Sequence, residues 1–171
     1  MTDPTRLSLL PYEHLVGLVA IGSSSLDHAV RHLHTLTLVD VDDAPDDATM
    51  ADVMDLRTPT DQLAKASRQQ WRAYHASGLM TTDELHAGVK WTRGAAKLQK
   101  RRDVIVHALW KADSSVPEGL RGRHLRSGQL VPDLEGVRDL AEAFRNHLRH
   151  ENGTAIALAL LRLRGIEPPT E

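Results

Sequence analysis

The stretch Thr81–Asp113, TTDELHAGVKWTRGAAKLQKRRDVIVHALWKAD, decides the fold, because its second half can be read as helix or as strand. It opens with a capping pattern, Thr81 or Thr82 ahead of Asp83 and Glu84, in which hydroxyl and carboxylate satisfy the first amides of a helix. Leu85, Val89, Trp91 or Thr92, Ala95, Ala96 and Leu98 then recur at helical spacing. The β-branched run Val104, Ile105, Val106 is compatible with a short strand. Ala108, Leu109 and Trp110 follow without a turn residue, so the stretch reads as one long helix, kinked near Lys100 to Asp103.

Working outward toward the N-terminus, Leu15, Leu18, Val19, Leu26, Ala29, Val30, Leu33 and Leu36 keep a three-and-four spacing, which predicts an amphipathic helix from Tyr12 to about Leu38. A connector at about 40–59 holds Pro45, Pro59 and most of the acid, with room for one turn of helix at Ala51 to Leu56. Thr60 or Asp61 can cap the next helix, which places Leu63, Ala64, Ser67 and Trp71 on one face and stops at Gly78.

Toward the C-terminus, a basic loop at about 113–132 is rich in Gly, Pro and Ser, and GRHLRSGQLV within it can form a small hairpin about Ser127 and Gly128. Val137, Leu140, Ala141, Phe144 and Leu148 define a helix from about Leu134 to His150, capped by Asp133. ENGT, residues 151–154, reads as an interruption. Ala155, Ile156, Ala159, Leu160 and Leu163 then carry an apolar face to Gly165, and the tail at 165–171 should fray. The expected fold is all-α: one domain, 1–171, an antiparallel bundle of four to five helices with a small hairpin between the last two long ones.

The chain of 171 residues contains no cysteine, which excludes disulfides and thiolate metal sites and makes a reducing, cytoplasmic setting the expectation. No window is apolar enough to span a bilayer. The formal net charge of -2 conceals a polar distribution of charge. From Asp40 to Asp61 eight aspartates face one arginine, whereas from Lys90 to Arg126 ten bases face three acids. The second segment would steer a polyanion toward it, and the first would repel one.

Several chemistries are set aside by the residues themselves. His28 and His32 are one helical turn apart, but AVR between them lacks the glutamate of a zinc-protease motif and no third ligand is evident, so no metal is expected. His147 and His150 lie on an arginine-rich helix end that reads as a solvated face. GSSSLDH, residues 22–28, has no glycine-bracketed nucleophile elbow; its serines suit close helix packing, within the chain or across a dimer through Gly22 to Ser25. Neither a Walker lysine motif nor a dinucleotide fingerprint occurs, and no cofactor is expected.

RRDVIVH, Arg101 to His107, remains. On a straight helix Arg102 and His107 are about 500° apart, which leaves them roughly 140° off a common face. Asp103 and His107 are one turn apart and can hydrogen-bond, and an arginine at a helix start or kink can fold over that pair. An aspartate, a histidine and an arginine on a basic surface suit phosphodiester cleavage: histidine moves protons and arginine holds the phosphate. RNA is the fitting polyanion, since its own 2′-hydroxyl can act as nucleophile. Arg-polar-x-x-x-His in an all-helical bundle resembles the signature of the HEPN superfamily, and RDVIVH, Arg102 to His107, matches it with aspartate in the polar position.

The resemblance implies a metal-independent endoribonuclease of the toxin or antiphage kind, dimerising so that two motifs face each other. It assigns catalysis to Arg102 and His107, with Asp103 as their polar support, and allows a cognate antitoxin or defence partner. Lys97, Lys100, Arg101 and Lys111 are the RNA-binding residues expected around it. The alternative is a catalytically silent module in which the same surface binds RNA, a nucleotide or a protein partner without cleavage.

Overall fold

The computed structural model describes residues 4–38, 58–112, 115, 120–128 and 130–166. Among them are five helices and one antiparallel pair of strands: α1 (Pro4–Leu38), α2 (Thr60–Ala76), α3 (Thr82–Val106), β1 (Ala108–Ala112), β2 (Leu120–His124), α4 (Leu134–Leu148) and α5 (Glu151–Leu163). The fold is an all-α helical bundle with a small hairpin ahead of its last two helices. Most of the acidic connector, including Ala51 to Leu56, lies outside the described residues, as do parts of the basic loop and the tail beyond Ile166. The chain forms two compact units, Met1–Ser25 with Lys97–Asn146 and Leu26–Ala96 with His147–Glu171.

In the first unit, Tyr12, Leu15 and Val19 of α1, Leu98 and Ile105 of α3, and Val137, Leu140 and Phe144 of α4 are buried at helical spacing. Each fully buried large apolar side chain contributes roughly 1.5–3 kcal/mol. Gly22 lets α1 approach α4, for a Cβ there would stand 2.8 Å from the Phe144 Cβ. Ser23 donates to the Gln99 side chain at 2.7 Å, and the Gln99 amide donates back to the Ser23 carbonyl at 3.0 Å. Gly22 and Ser23 thus serve packing inside the chain, leaving only Ser24 and Ser25 of that stretch exposed. Asp133 caps α4 as its position predicts, its Oδ1 accepting from the Gly136 amide at 2.8 Å.

The long helix ends earlier than its local sequence suggests. α3 runs through Lys100 to Asp103 and stops at Val106, and Ala108 to Ala112 is a strand, not a continuation of the helix. The missing turn signal is replaced by pairing: β1 finds its hydrogen-bond partners in β2, from Ala108 opposite His124 to Ala112 opposite Leu120. The chain then reverses about Ser127 and Gly128, where Gly128 has φ +68° and its amide donates to the His124 carbonyl at 2.9 Å. A bridge between Arg123 and Leu130 marks the hairpin expected there.

In the second unit Leu26, Val30 and Leu33 of α1, Leu63, Ala64 and Trp71 of α2, Trp91 of α3, and Ile156 and Leu160 of α5 form the core. Thr81 and Glu84 make a reciprocal capping box at the start of α3, with Thr81 N to Glu84 Oε2 at 2.8 Å and Glu84 N to Thr81 Oγ1 at 3.3 Å. Neither Thr60 nor Asp61 caps α2, which has Pro59 at that position and no side-chain cap. The Thr60 hydroxyl is instead spent on the Asp27 carboxylate. ENGT does not interrupt the last helix either; the break falls at Arg149 and His150, and the His150 ring accepts from the Asn152 amide at 3.1 Å to start α5. Gly78 and Gly165, at φ +77° and +67°, end α2 and α5 as predicted.

Candidate nucleic-acid interface

The motif lies in the first unit, at the C-terminal end of α3. Arg102 shares the inward face of the helix with Leu98 and Ile105, four residues before and three after, both of them buried. Its stem is therefore drawn toward the core, and its side chain is 30% exposed. Nη1 reaches the neighbouring Asp103 Oδ1 at 2.9 Å, whereas Nε is buried and has no hydrogen-bond partner among the described residues. A buried donor left unpaired costs about 1–3 kcal/mol, which marks this arginine as more than a surface charge.

His107 is the first residue past the helix, and it is exposed. Its amide closes the last turn on the Asp103 carbonyl at 3.2 Å, and its carbonyl accepts from Leu125 N at 3.2 Å. The imidazole makes no hydrogen bond among the described residues. The Asp103 carboxylate pairs with Arg102, so the expected Asp103–His107 side-chain bond is not formed. Because α3 neither starts nor breaks at Arg102, the helix does not bring Arg102 and His107 onto one face. Arg102 and Asp103 are joined; His107 lies just past the helix, at the root of the hairpin.

Lys97, Lys100, Arg101 and Lys111 are all exposed. The first three lie on α3 ahead of the motif, and Lys111 on β1 beyond it. Arg121 and Arg123 escaped the reading as binding residues, because a basic loop has no defined face. The signal was nevertheless present: RGR at 121–123 places two arginines two residues apart, and extended chain puts such residues on the same side. A separate cavity of about 350 Å³ in the same unit is lined by His14, Leu15, Leu18, Arg138 and Arg145 among others, and none of the motif residues lines it.

Several polar groups of the second unit are engaged in structure. Arg31, 4% exposed, pairs with Asp27 at 2.8 Å and donates to the Thr58 carbonyl at 2.8 Å. His34 Nδ1 meets Ser67 Oγ at 2.9 Å, and burial holds its pKa below the ordinary histidine value. Glu84, which burial alone would push up, is held below the usual carboxylate range by hydrogen bonds from Thr81 and Arg162. Arg164 donates to the Thr35 and Leu36 carbonyls at 2.9 and 3.1 Å, closing the end of α1. His147 does not belong to a solvated face, since its ring stacks on Trp91 with centroids 5.1 Å apart.

His28 and His32 are exposed, and among the described residues no group of three or more His, Asp or Glu gathers as metal ligands. No helix among those residues is long and apolar enough to cross a membrane. The chain matches no family model, and it has no significant match to a curated protein or a solved structure.

Proposed function

We propose that the chain is a HEPN-like, metal-independent endoribonuclease of a toxin or antiphage defence system, working in the cytoplasm as a homodimer. In this reading the 2′-hydroxyl of RNA attacks the adjacent phosphorus, and His107 moves the proton. Arg102 holds the phosphate oxygens, and the products carry a 2′,3′-cyclic phosphate and a 5′-hydroxyl. Asp103 orients the Arg102 guanidinium through the 2.9 Å contact between them. The observation that carries the proposal is an inward-drawn arginine whose buried Nε has no partner among the described residues, in a strongly basic segment that also holds an exposed imidazole. Because an unbroken α3 does not put Arg102 and His107 on one helical face, the reading takes a second copy to complete the site.

Purified protein should cut single-stranded RNA in EDTA, and His107→Ala should abolish the cut while leaving the protein folded and dimeric. Equal cutting by His107→Ala removes the catalytic assignment. The unbroken run of α3 through Arg102 also favours a second reading, a non-cleaving RNA-binding module. Salt-sensitive RNA binding by a protein that never cuts, even when dimeric, would select it.

A further inference from the structure

The register of the hairpin sorts charge by face. Lys111 lies directly opposite Arg121, and Leu109 opposite Arg123. Successive strand residues alternate between faces, so Lys111, Arg121 and Arg123 share one side of the ribbon. All three are exposed. The Leu125 N to His107 carbonyl bond extends the same register by one step, which sets His107 across from Leu125 at the end of that row. The alternate positions of the two strands include no lysine or arginine.

Three exposed cations on one side of a two-stranded ribbon make a surface complementary to an extended polyanion. Arg121 and Arg123 are two residues apart on an extended strand, about 6.8 Å. That is close to the repeat of successive phosphates along an extended polynucleotide. Lys111, beside Arg121, adds a second cation to one of those phosphates. The row is one strand wide and ends at His107.

We propose that this ribbon face docks the phosphate backbone of single-stranded RNA and leads the strand along Lys111, Arg121 and Arg123 to His107. The choice of RNA, and the direction of travel, rest on the endoribonuclease reading; the docking itself is read out by binding alone.

The test uses the full chain and a fluorescein-labelled single-stranded 2′-O-methyl oligonucleotide, which a 2′-hydroxyl mechanism cannot cut. Fluorescence anisotropy is measured across a salt series. The combined variant Lys111→Gln, Arg121→Gln, Arg123→Gln should bind at least tenfold more weakly. It should also lower the slope of log affinity against log salt by about two, as expected for about three single-strand phosphate contacts. Lys65→Gln with Arg72→Gln, on α2, should change neither quantity, and the same sequence as a duplex should bind at least tenfold more weakly than the single strand. An unchanged affinity in the ribbon variant overturns the inference, as does equal binding of duplex and single strand. Binding lost with the ribbon in a protein that does not cut natural RNA refutes the nuclease and keeps the docking surface. Full cutting by the ribbon variant at subsaturating RNA keeps the nuclease and refutes the docking surface.

Discussion

Trp91 and His147 hold each other by the backbone as well as by their rings: the indole N–H donates to the His147 carbonyl at 3.1 Å, and His147 Nε2 donates to the Trp91 carbonyl at 3.0 Å. The second bond fixes the proton on Nε2, because a carbonyl only accepts. Burial depresses the His147 pKa and the neighbouring His150 adds to this, against the raising effect of the Trp91 carbonyl. The unfolded chain therefore takes up a proton at higher pH than the folded one. Stability from this site should be complete above about pH 6.5 and decline as pH falls from there toward the folded value. Thermal unfolding at intervals from pH 8 to 5 checks it. His147→Gln, which keeps a donor without titrating in this range, should flatten the decline, with His34 accounting for what remains. An undiminished decline in His147→Gln would show that the ring titrates as an exposed histidine does.

Two glycines make that clasp possible, and their replacement separates packing from helix propensity. A Cβ at Gly94 would lie 2.5 Å from His147 Cε1, and one at Gly153 would lie 2.6 Å from Trp91 Nε1. Neither ring can yield, since stacking and both hydrogen bonds fix them. Gly94→Ala and Gly153→Ala should each cost about 1–3 kcal/mol, although alanine is the better helix former. At Gly17 nothing stands within 4 Å of the added Cβ, so Gly17→Ala should stabilise α1 by roughly 0.5–1 kcal/mol. In a chain of this size each kcal/mol moves the Tm by about 2–4 °C, so calorimetry resolves all three.

The same clasp shows why parts of the fold were legible in the sequence and parts were not. α1 and α4 follow from the spacing of Leu15, Val19 and Leu26 and of Val137, Leu140 and Phe144, because helical periodicity is a local property. ENGT looks like a break, yet Gly153 is there to admit the Trp91 ring, a reason that exists only once α3 and α5 have met. Thr60 looks like a cap, but Asp27 on α1, thirty-three residues away, takes its hydroxyl. Ala108 to Ala112 looks helical because its strand partner, Leu120 to His124, lies further along the chain. The candidate site divides in the same way. The inward position of Arg102 between Leu98 and Ile105 was readable from spacing, whereas the common face of Lys111, Arg121 and Arg123 depends on register.

A second test of long-range chemistry concerns Arg31. Its side chain is 5% exposed against 26% for Asp27, and it reaches both that carboxylate and the Thr58 carbonyl. Arg31→Met should cost about 2–3 kcal/mol, less than a wholly buried pair because water still reaches Asp27. The loss should appear first as faster amide exchange in residues 58–62, which Arg31 ties to α1. Asp27→Asn, which keeps an acceptor for Thr60, should cost less than Arg31→Met. A reversed order would mean that the arginine contributes through its stem alone.

The contact between Arg102 and Asp103 separates packing from chemistry at the motif. Their side chains are 30% and 54% exposed, so the ion pair contributes at most about 1 kcal/mol to folding. Arg102→Lys keeps the positive charge and an aliphatic stem on the face shared with Leu98 and Ile105, but it loses the planar fork that holds two phosphate oxygens at once. The Tm should therefore fall by no more than about 3 °C, while RNA cleavage drops at least a hundredfold. Asp103→Asn should keep the fold and reduce cleavage less, since an amide oxygen still accepts from the guanidinium. If Arg102→Lys cuts RNA normally yet unfolds well below the wild type, the arginine is a packing residue, and the buried Nε is the cost of placing its stem against the core.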